Sequence, residues 1–276
     1  MKDNRVQNIL IHKISSGKIN EITDMVAVEE PLQIQLEYST ATGQMLKNIA
    51  VTMRTPGNDE ELAAGFLFTE GIIKSADDIS KIKTTYTDEN EVQVILKENI
   101  IPALGNAARN FYTTSSCGIC GKASIDSIRT ASQYSEVKNK SLIPAAVCYN
   151  LQSELKKQQK VFEDTGGIHA CGLFDVDGRF MMLREDVGRH NALDKIIGAA
   201  MLHNQLPLNN SILLLSGRAS FELLQKAVMA GIKIIASVGA PSSLAVEMAT
   251  ENDVTLIGFL KEDRFNIYSG KQRITV

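Results

Sequence analysis

The sequence of 276 residues predicts an α/β protein with an α+β front part and a parallel sheet near its C-terminus. Three observations support this class. Strands and helices alternate through the last third of the chain, which implies right-handed βαβ crossovers and therefore parallel strands. Apolar runs of period two dominate the first hundred residues. Between these parts, one segment has the pattern of a β-hairpin with an Asp-Gly turn.

In the front part, strands are predicted wherever apolar residues alternate with polar ones. The runs are MVAVEEPLQIQLEY, KNIAVTMRT and EVQVILKE. One helix interrupts them, because TPGNDEELAAGFLFTEG begins with Pro-Gly, offers Asn58 or Asp59 as an N-cap and runs to Gly71. The first hundred residues therefore read as α+β.

The middle and the end of the chain contain longer periodic segments. Helical spacing is present in ASIDSIRTASQY and in AAVCYNLQSELKKQQKVFED, the second ending near Thr165-Gly166-Gly167. IHACGLFDVDGRFMMLRED is the predicted hairpin, and GRHNALDKIIGAAMLHN follows as a helix. The last third alternates strand and helix in the order SILLLS, FELLQKAVMAG, KIIASV, SLAVEMATEN and VTLIGFL.

Ligands of such sheets gather beyond the carboxyl ends of the parallel strands. The loops at that edge are SGRAS (216–220), GAPSS (239–243) and the segment KEDRFNIYSG after the last strand. The first two combine glycine with hydroxyl groups at a helix N-terminus, a setting that favours phosphate oxygens. Neither matches a P-loop or a G-x-G-x-x-G fingerprint, and ordinary N-capping explains the same residues. We predict that Gly217 and Arg218 belong to a binding site.

Composition narrows the class of partner. The chain has 29 basic and 32 acidic residues and no long run of either sign, which argues against nucleic acid or an anionic membrane as partner. No apolar stretch reaches the roughly 18 residues of a spanning helix, and MKDNRVQNILIHK lacks the h-region of a signal peptide. A soluble, cytoplasmic protein with a small-molecule or protein partner is expected.

The cysteines carry the strongest chemical signal. Four are too few for a disulfide scaffold in a chain of this size. SSCGICGKAS places Cys117 and Cys120 three residues apart, each followed by glycine, which indicates an exposed loop. Lys122 and a following helix N-terminus favour the thiolate, so the pair is predicted to be nucleophilic. Cys148 lies within a helical apolar pattern and is predicted to belong to the core.

Other interpretations of this pair remain open. A zinc-stabilised binding protein would use Cys117 and Cys120 with His169 and Cys171, whose i, i+2 spacing puts both on one face of a strand. A thioredoxin-type dithiol normally follows the first strand of a βαβ unit, whereas this loop is in mid-chain. The pair can also be an inert match. Arg189 and His190 are further candidate ligand contacts without an assigned role.

The ordered motifs resemble the formate dehydrogenase accessory sulfurtransferase family (FdhD). They cover nearly the whole chain: TPGNDEELAAGFLFTEGII, SSCGICGKASI, TGGIHACGLF, REDVGRHNALDKIIG, LLLSGRASFEL, GAPSSLAVEMA and GFLKEDRFNIYSG. The resemblance implies a sulfurtransferase that accepts persulfide sulfur from a cysteine desulfurase. It implies transfer of that sulfur to the molybdenum or tungsten bis(guanine dinucleotide) cofactor of formate dehydrogenase, bound as a client rather than as a permanent cofactor. It also implies a homodimer.

The resemblance carries over to individual positions and to the fold. Cys117 resembles the persulfide-forming cysteine, and Cys120 a second thiol that assists or relays. The cofactor-contacting segment corresponds to Phe259, Leu260, Lys261, Glu262, Asp263 and Arg264. The implied fold is a cytidine-deaminase-like three-layer core with a mixed, partly parallel sheet. We assign that core to residues 116–276 and a smaller α+β domain to residues 1–115, with the cysteine loop at their junction and no resident metal.

Overall fold

The computed structural model describes residues 3–84, 90–104 and 130–276, and these ranges contain two larger sheets and six α-helices. The helices are α1 (Asp59–Thr69), α2 (Ala145–Gln158), α3 (Lys160–Thr165), α4 (Arg189–Leu202), α5 (Phe221–Met229) and α6 (Ser243–Glu251). The strands are β1 (Val6–Ser15), β2 (Lys18–Ala27), β3 (Glu30–Thr40), β4 (Gly43–Arg54), β5 (Ile79–Thr84), β6 (Glu91–Leu96), β7 (Ile143–Pro144), β8 (His169–Asp175), β9 (Phe180–Asp186), β10 (Ser211–Leu215), β11 (Ile234–Ser237), β12 (Thr255–Gly258), β13 (Asn266–Ser269) and β14 (Ile274–Thr275).

The larger sheet has six strands in the order β13-β12-β11-β10-β8-β9. Its three central strands β10, β11 and β12 are parallel, while β8, β9 and β13 pair antiparallel. Alternate residues of β10 reach opposite faces: Leu213 and Leu215 join the core with α4, α5 and α6, and Ile212 and Leu214 join the core with α2. Helices therefore cover both faces, and the predicted three-layer class with a mixed, partly parallel sheet is confirmed.

The front part forms a four-stranded sheet in the order β4-β3-β6-β5, with α1 packed on its inner face. Apolar residues of β3 and β6 share one buried cluster with α1, α4 and the larger sheet. This core links the α+β part to the α/β part. The proposed boundary between residues 115 and 116 lies outside the described residues, so the division into two domains stays a prediction.

Two glycines let α1 and α4 cross in backbone contact. A Cβ atom built on Gly65 would overlap the carbonyl oxygen of Asp194, and one built on Gly198 would overlap the carbonyl oxygen of Glu61. Neither position has room for a larger residue. The crossing therefore fixes where α4 begins, which matters for the site below.

Buried ion pairs hold the helices that surround the site. The carboxylate of Asp186 lies 2.7 Å from Nζ of Lys195, and both side chains are almost fully buried. Asp194, the residue before Lys195 on α4, accepts a 2.9 Å hydrogen bond from Nζ of Lys226 on α5. Removing one partner of such a pair leaves an uncompensated buried charge, so these contacts fix the registry of α4 and α5.

The structure departs from the predicted elements in several places. The β1–β2 hairpin was not predicted, and the predicted run 25–38 is divided between the end of β2 and most of β3. The helix expected over 145–164 is broken at Gln159, whose ψ of 72° is not helical, so α2 and α3 are separate. Residues 130–134 are not helical, and the rest of that predicted helix lies outside the described residues. The segment after the last parallel strand, expected as a loop, contains β13, because its backbone completes hydrogen bonds along the free edge of β12.

Candidate functional site

The three predicted loops meet at the carboxyl ends of β10, β11 and β12, and backbone hydrogen bonds join them. The amide of Gly239 donates to the carbonyl of Gly217 at 3.0 Å, and the amide of Phe259 donates to the carbonyl of Gly239 at 3.1 Å. A Cβ on Gly239 would lie 3.0 Å from the amide nitrogen of Arg218, so glycine permits this close approach. The sequence prediction that these loops form one surface is confirmed.

A cavity of about 480 Å³ opens beside these loops. Ser216 and Val238, which follow β10 and β11, line its floor, and His169 at the start of β8 contributes a ring. The opposite wall comes from the α2 and α3 segment, with the residues Gln152, Leu155, Lys156, Gln159, Phe162, Gly166, Gly167 and Ile168. The cavity volume falls in the range of ligand pockets, and its lining mixes apolar side chains with polar ones and the cation of Lys156.

His169 is held neutral at this cavity. Burial lowers the pKa of His169, and the nearby positive charge of Arg189 lowers it further. The ring lies against Gly217, where an added Cβ would approach it to 3.5 Å. A neutral imidazole offers one donor and one acceptor, which suits a polar ligand group.

The depressed pKa of His169 predicts a pH dependence of stability. Because the unfolded chain binds the proton more tightly, His169 lowers the stability of wild type as pH falls below the unfolded value of about 6.5. We therefore expect His169→Gln to gain stability relative to wild type as the pH is lowered from 7.5 to 5.5: the free energy of unfolding of the variant minus that of wild type should increase. Urea titrations at both pH values measure this difference. Parallel pH profiles of the two proteins would contradict the assignment.

Helix N-termini at this edge differ in their capping. Ser242 caps α6, since its hydroxyl accepts a 3.3 Å hydrogen bond from the amide of Ala245. Ser220 occupies the same position before α5 but makes no capping bond, and its buried hydroxyl has no hydrogen-bond partner among the described residues. The first-turn amides of α5 thus lack a side-chain acceptor, which favours anion binding over ordinary capping at that helix.

The first turns of α4 and α5 touch through His190. Its Nε2 atom lies 2.8 Å from Oε2 of Glu222, in ion-pair contact but without the alignment of a hydrogen bond. Both side chains are largely buried. Arg189, the neighbouring residue predicted to contact a ligand, has a buried Nε with no hydrogen-bond partner in the described part of the chain. His190 therefore fixes the two helix starts against each other, while Arg189 keeps a free donor.

The segment from Phe259 to Arg264 follows β12 directly at the same edge. Phe259 has a positive φ of 53° and a side chain that is 46% exposed, an unusual combination for an aromatic residue. Leu260 is fully buried in the core with α2, so its side chain anchors the segment. The exposed turn that follows is closed by a 2.9 Å bond from the amide of Lys261 to the carbonyl of Arg264. It presents Lys261, Glu262, Asp263 and Arg264 to solvent.

The four cysteines fall into two groups. Cys117 and Cys120 lie outside the described residues. Cys148 and Cys171 are buried, and burial raises the pKa of the Cys148 thiol to about 11 and moves that of Cys171 further upward. The zinc interpretation also needs Cys117 and Cys120, so it stays an alternative prediction. Within 3–84, 90–104 and 130–276, no group of three or more His, Cys, Asp or Glu side chains is placed to hold a metal ion.

Sequence reasoning missed the wall of the cavity formed by α2 and α3. Gln152, Lys156 and Gln159 were read only as part of an amphipathic helix, because their spacing is that of a solvent-exposed face. The only available signal was the Gly166-Gly167 pair, which ends α3 with Gly166 at φ 65° and turns the chain into β8. No feature of the local sequence indicates that this face of α2 and α3 lies over the carboxyl ends of the parallel strands.

Comparisons with known proteins show what the whole chain is similar to. The model of the FdhD/NarQ family matches residues 27–275. The chain is 46% identical over 268 residues to the sulfur carrier protein FdhD of Mycolicibacterium paratuberculosis, covering 95% of this chain and 96% of that protein. It is 47% identical over 253 residues to the sulfur carrier protein FdhD of Picrophilus torridus, covering 92% and 93%. A crystal structure of a putative formate dehydrogenase accessory protein from Desulfotalea psychrophila matches with a TM-score of 0.75 and 27% identity, over 98% of this chain and 100% of that one.

None of the helices in the described ranges has the length and apolar character to span a membrane.

Proposed function

The chain belongs to the FdhD/NarQ family, and from this premise we propose that it is a sulfur carrier protein that serves as an accessory protein of formate dehydrogenase. The observation that carries the proposal is the similarity of nearly the whole chain to sulfur carrier proteins. The two thiols that the structure describes are both enclosed. Cys148 and Cys171 are buried with raised pKa values, so neither supplies a thiolate at neutral pH. The transferable sulfur then belongs on Cys117, with Cys120 as its partner.

The loading step is a thiol–persulfide exchange. The Cys117 thiolate attacks the outer sulfur of a persulfide on a cysteine desulfurase, and the bond between the two desulfurase sulfurs breaks. The desulfurase cysteine leaves as a thiolate, and Cys117 now carries the outer sulfur. No net oxidation or reduction takes place in this exchange.

The delivery step requires two electrons, which Cys120 supplies. Its thiolate attacks the inner sulfur of the Cys117 persulfide, forming a Cys117–Cys120 disulfide and releasing the outer sulfur as hydrosulfide to the client metal. A dithiol reductant of the cell then restores both thiols. The spacing of three residues suits this step because it brings the second thiol within reach of the first.

We propose that the client is the molybdenum or tungsten bis(guanine dinucleotide) cofactor, bound as substrate at the carboxyl ends of β10, β11 and β12. Arg218, Lys261 and Arg264 are exposed cations at this edge, and the uncapped start of α5 offers amides to phosphate oxygens. Glu262 and Asp263 are acceptors suited to the N1–H and amino group of guanine. The proposal also includes a homodimer and formate dehydrogenase as recipient of the matured cofactor.

Intact mass spectrometry tests the carrier function. Incubation of the full chain with a cysteine desulfurase and cysteine is expected to add one sulfur atom per chain, removable by a reducing thiol. If Cys117→Ala does not gain this sulfur atom, the sulfur is carried by Cys117. A chain that gains no sulfur under conditions in which the desulfurase turns over would refute the carrier function.

Nucleotide titration tests the client site. GDP is expected to bind more tightly than ADP, because only guanine presents two neighbouring donors to a carboxylate. Arg264→Ala is expected to weaken GDP binding by about tenfold, the usual scale for losing a charge-assisted hydrogen bond. Isothermal titration calorimetry measures both effects, with Arg179→Ala as the control at a distant exposed arginine. Equal affinity for the two nucleotides would remove the guanine contacts from the proposal.

A further inference from the structure

The cavity of about 480 Å³ beside the ends of β10 and β11 contains polar side chains that the rest of the described chain does not bind. Gln159 lines this cavity and is only 6% exposed, yet its side-chain amide makes no hydrogen bond to any described residue. Gln152 and the ring of His169 line the same cavity and also lack a hydrogen-bond partner within the part of the chain that the structure describes. A buried amide without a partner costs free energy, so these groups indicate a ligand that completes their hydrogen bonds.

The sequence of α2 places these groups on one wall of the cavity. Gln152, Leu155, Lys156 and Gln159 have the spacing i, i+3, i+4 and i+7, which puts them on one side of the helix and of the residue that follows it. At 1.5 Å per residue, the two glutamines are about 10 Å apart along the axis. Leu155 lies between them and is apolar. A flat ring system can therefore lie against Leu155 with an amide at either end.

The charge of the lining suits an uncharged ligand. No carboxylate is among the described lining residues, and the only charged side chain there is Lys156, which is exposed to solvent. The imidazole of His169 is neutral because its pKa is lowered by burial. A cationic ligand would find no opposite charge in the cavity, and an anionic one would exchange water for a lining that is largely neutral and partly apolar.

Hydrogen-bond donors outnumber acceptors in this lining. Each glutamine amide has two N–H donors and one oxygen, and neutral His169 has one donor and one acceptor. The hydroxyl oxygen of Ser216 accepts a 2.9 Å hydrogen bond from the amide of Ala170, so its O–H remains available to donate. A carbonyl oxygen on the ligand would accept from this surplus of donors, and a ring N–H would donate to an amide oxygen.

We propose that the cavity binds an uncharged, oxo-substituted nitrogen heterocycle of two fused rings, whose N–H and adjacent C=O pair with the amide of Gln159. In this pair the ring N–H donates to the amide oxygen, and the amide N–H donates to the ring carbonyl. The faces of the ring pack on apolar lining residues such as Leu155 and Val238. The assignment rests on the proposed function, whose client carries two rings of this chemistry, guanine and pterin.

The position of the cavity connects it to the cations at the edge of the sheet. Ser216, in the cavity, precedes Arg218 by two residues, so the two are within about 7 Å of each other along the chain. The α5 and α6 helices cover one face of the larger sheet, while α2 and the cavity lie on the other. A ring bound in the cavity can therefore carry phosphate groups over the edge of the sheet to Arg218.

Fluorescence titration of the full chain with 6-hydroxymethylpterin tests the proposal. The chain has no tryptophan, so pterin emission is measured without an indole background. We expect Gln159→Leu to raise the dissociation constant at least about tenfold, because the variant keeps a side chain of similar size and leaves the ring edge unpaired. The matched control is Gln158→Leu, at the exposed end of α2, which should stay within about twofold of wild type.

A second variant covers the case in which Gln159→Leu does not fold. Gln152→Leu changes the other amide of the same wall, at a partly exposed position, and should raise the dissociation constant about fivefold. Circular dichroism verifies that each variant is folded.

Calorimetric titrations with guanosine and adenosine distinguish the sources of the ring. Guanosine shares the N–H and C=O edge of pterin, whereas adenosine has no ring carbonyl and should bind at least about tenfold more weakly than guanosine. Nucleosides are used because they lack the phosphates that Arg218, Lys261 and Arg264 are proposed to bind. Of pterin and guanosine, the one with the lower dissociation constant is the ring that the client places in the cavity.

Three results would overturn the proposal. The first is that neither pterin nor guanosine shows saturable binding up to about 1 mM. The second is that Gln159→Leu and Gln158→Leu bind as wild type does or are weakened equally. The third is that adenosine binds as tightly as guanosine, which excludes pairing with the ring carbonyl. Persulfide loading, measured by mass on the same samples, does not depend on this cavity, so failure of the cavity assignment is distinguishable from failure of the carrier function.

Discussion

Cys117→Ala is expected to abolish both persulfide formation and the activation of formate dehydrogenase while leaving the protein folded. The nucleophile of the proposed loading step is the Cys117 thiolate. Neither of the two described thiols replaces it, because Cys148 and Cys171 are enclosed and protonated. A thiol predicted to lie on an exposed loop contributes little packing, so we expect the free energy of unfolding to change by no more than about 0.5 kcal/mol.

The matched control is Cys148→Ala. Cys148 is fully buried among Leu151, Phe174 and other residues of the core with α2, so its truncation should cost about 1 to 2 kcal/mol and leave persulfide loading intact. Intact mass after desulfurase treatment and formate dehydrogenase activity after co-expression measure the two variants. Normal client activation by Cys117→Ala, or loss of loading by a well-folded Cys148→Ala, would show that the wrong thiol was assigned.

Gly198→Ala, which adds one methyl group to α4, is expected to destabilise the protein strongly. In an ordinary helix this substitution stabilises by up to about 1 kcal/mol, because alanine has the higher helix propensity. Here the new methyl would overlap the carbonyl oxygen of Glu61 in α1, so the two helices must separate. We expect a loss of at least about 3 kcal/mol, at the upper end of overpacking effects.

Urea denaturation followed by circular dichroism measures this loss. Gly167→Ala is the control, because its added Cβ would meet no atom closer than 3.8 Å and should change stability by less than about 0.5 kcal/mol. Since α4 begins with Arg189 and His190, separation of α1 and α4 should also weaken GDP binding. A Gly198→Ala variant as stable as wild type would mean that the helices do not cross in backbone contact.

The predicted site has two parts, the loops at the edge of the sheet and the residues assigned to chemistry. The meeting of loops 216–220, 239–243 and 259–264 follows from strand order alone, since the carboxyl ends of adjacent parallel strands share an edge. The assignments of Cys117 and Cys120 to sulfur transfer and of the 259–264 segment to a guanine dinucleotide remain predictions. The burial of Leu260 reduces that segment to five side chains that can contact a ligand.

The sequence by itself determined the elements whose signals are local. The α1 helix, the β8–β9 hairpin and the β10–α5–β11–α6–β12 alternation were predictable because periodicity, caps and an Asp-Gly turn act over a few residues. Tertiary structure alone decided the break at Gln159, the cavity wall on α2, the uncapped Ser220 and the crossing at Gly65 and Gly198. Each of these depends on which distant segment comes to lie opposite, and local sequence does not encode that partner. The β1–β2 hairpin was not predicted either, because most of it lies before the first run of alternating apolar residues.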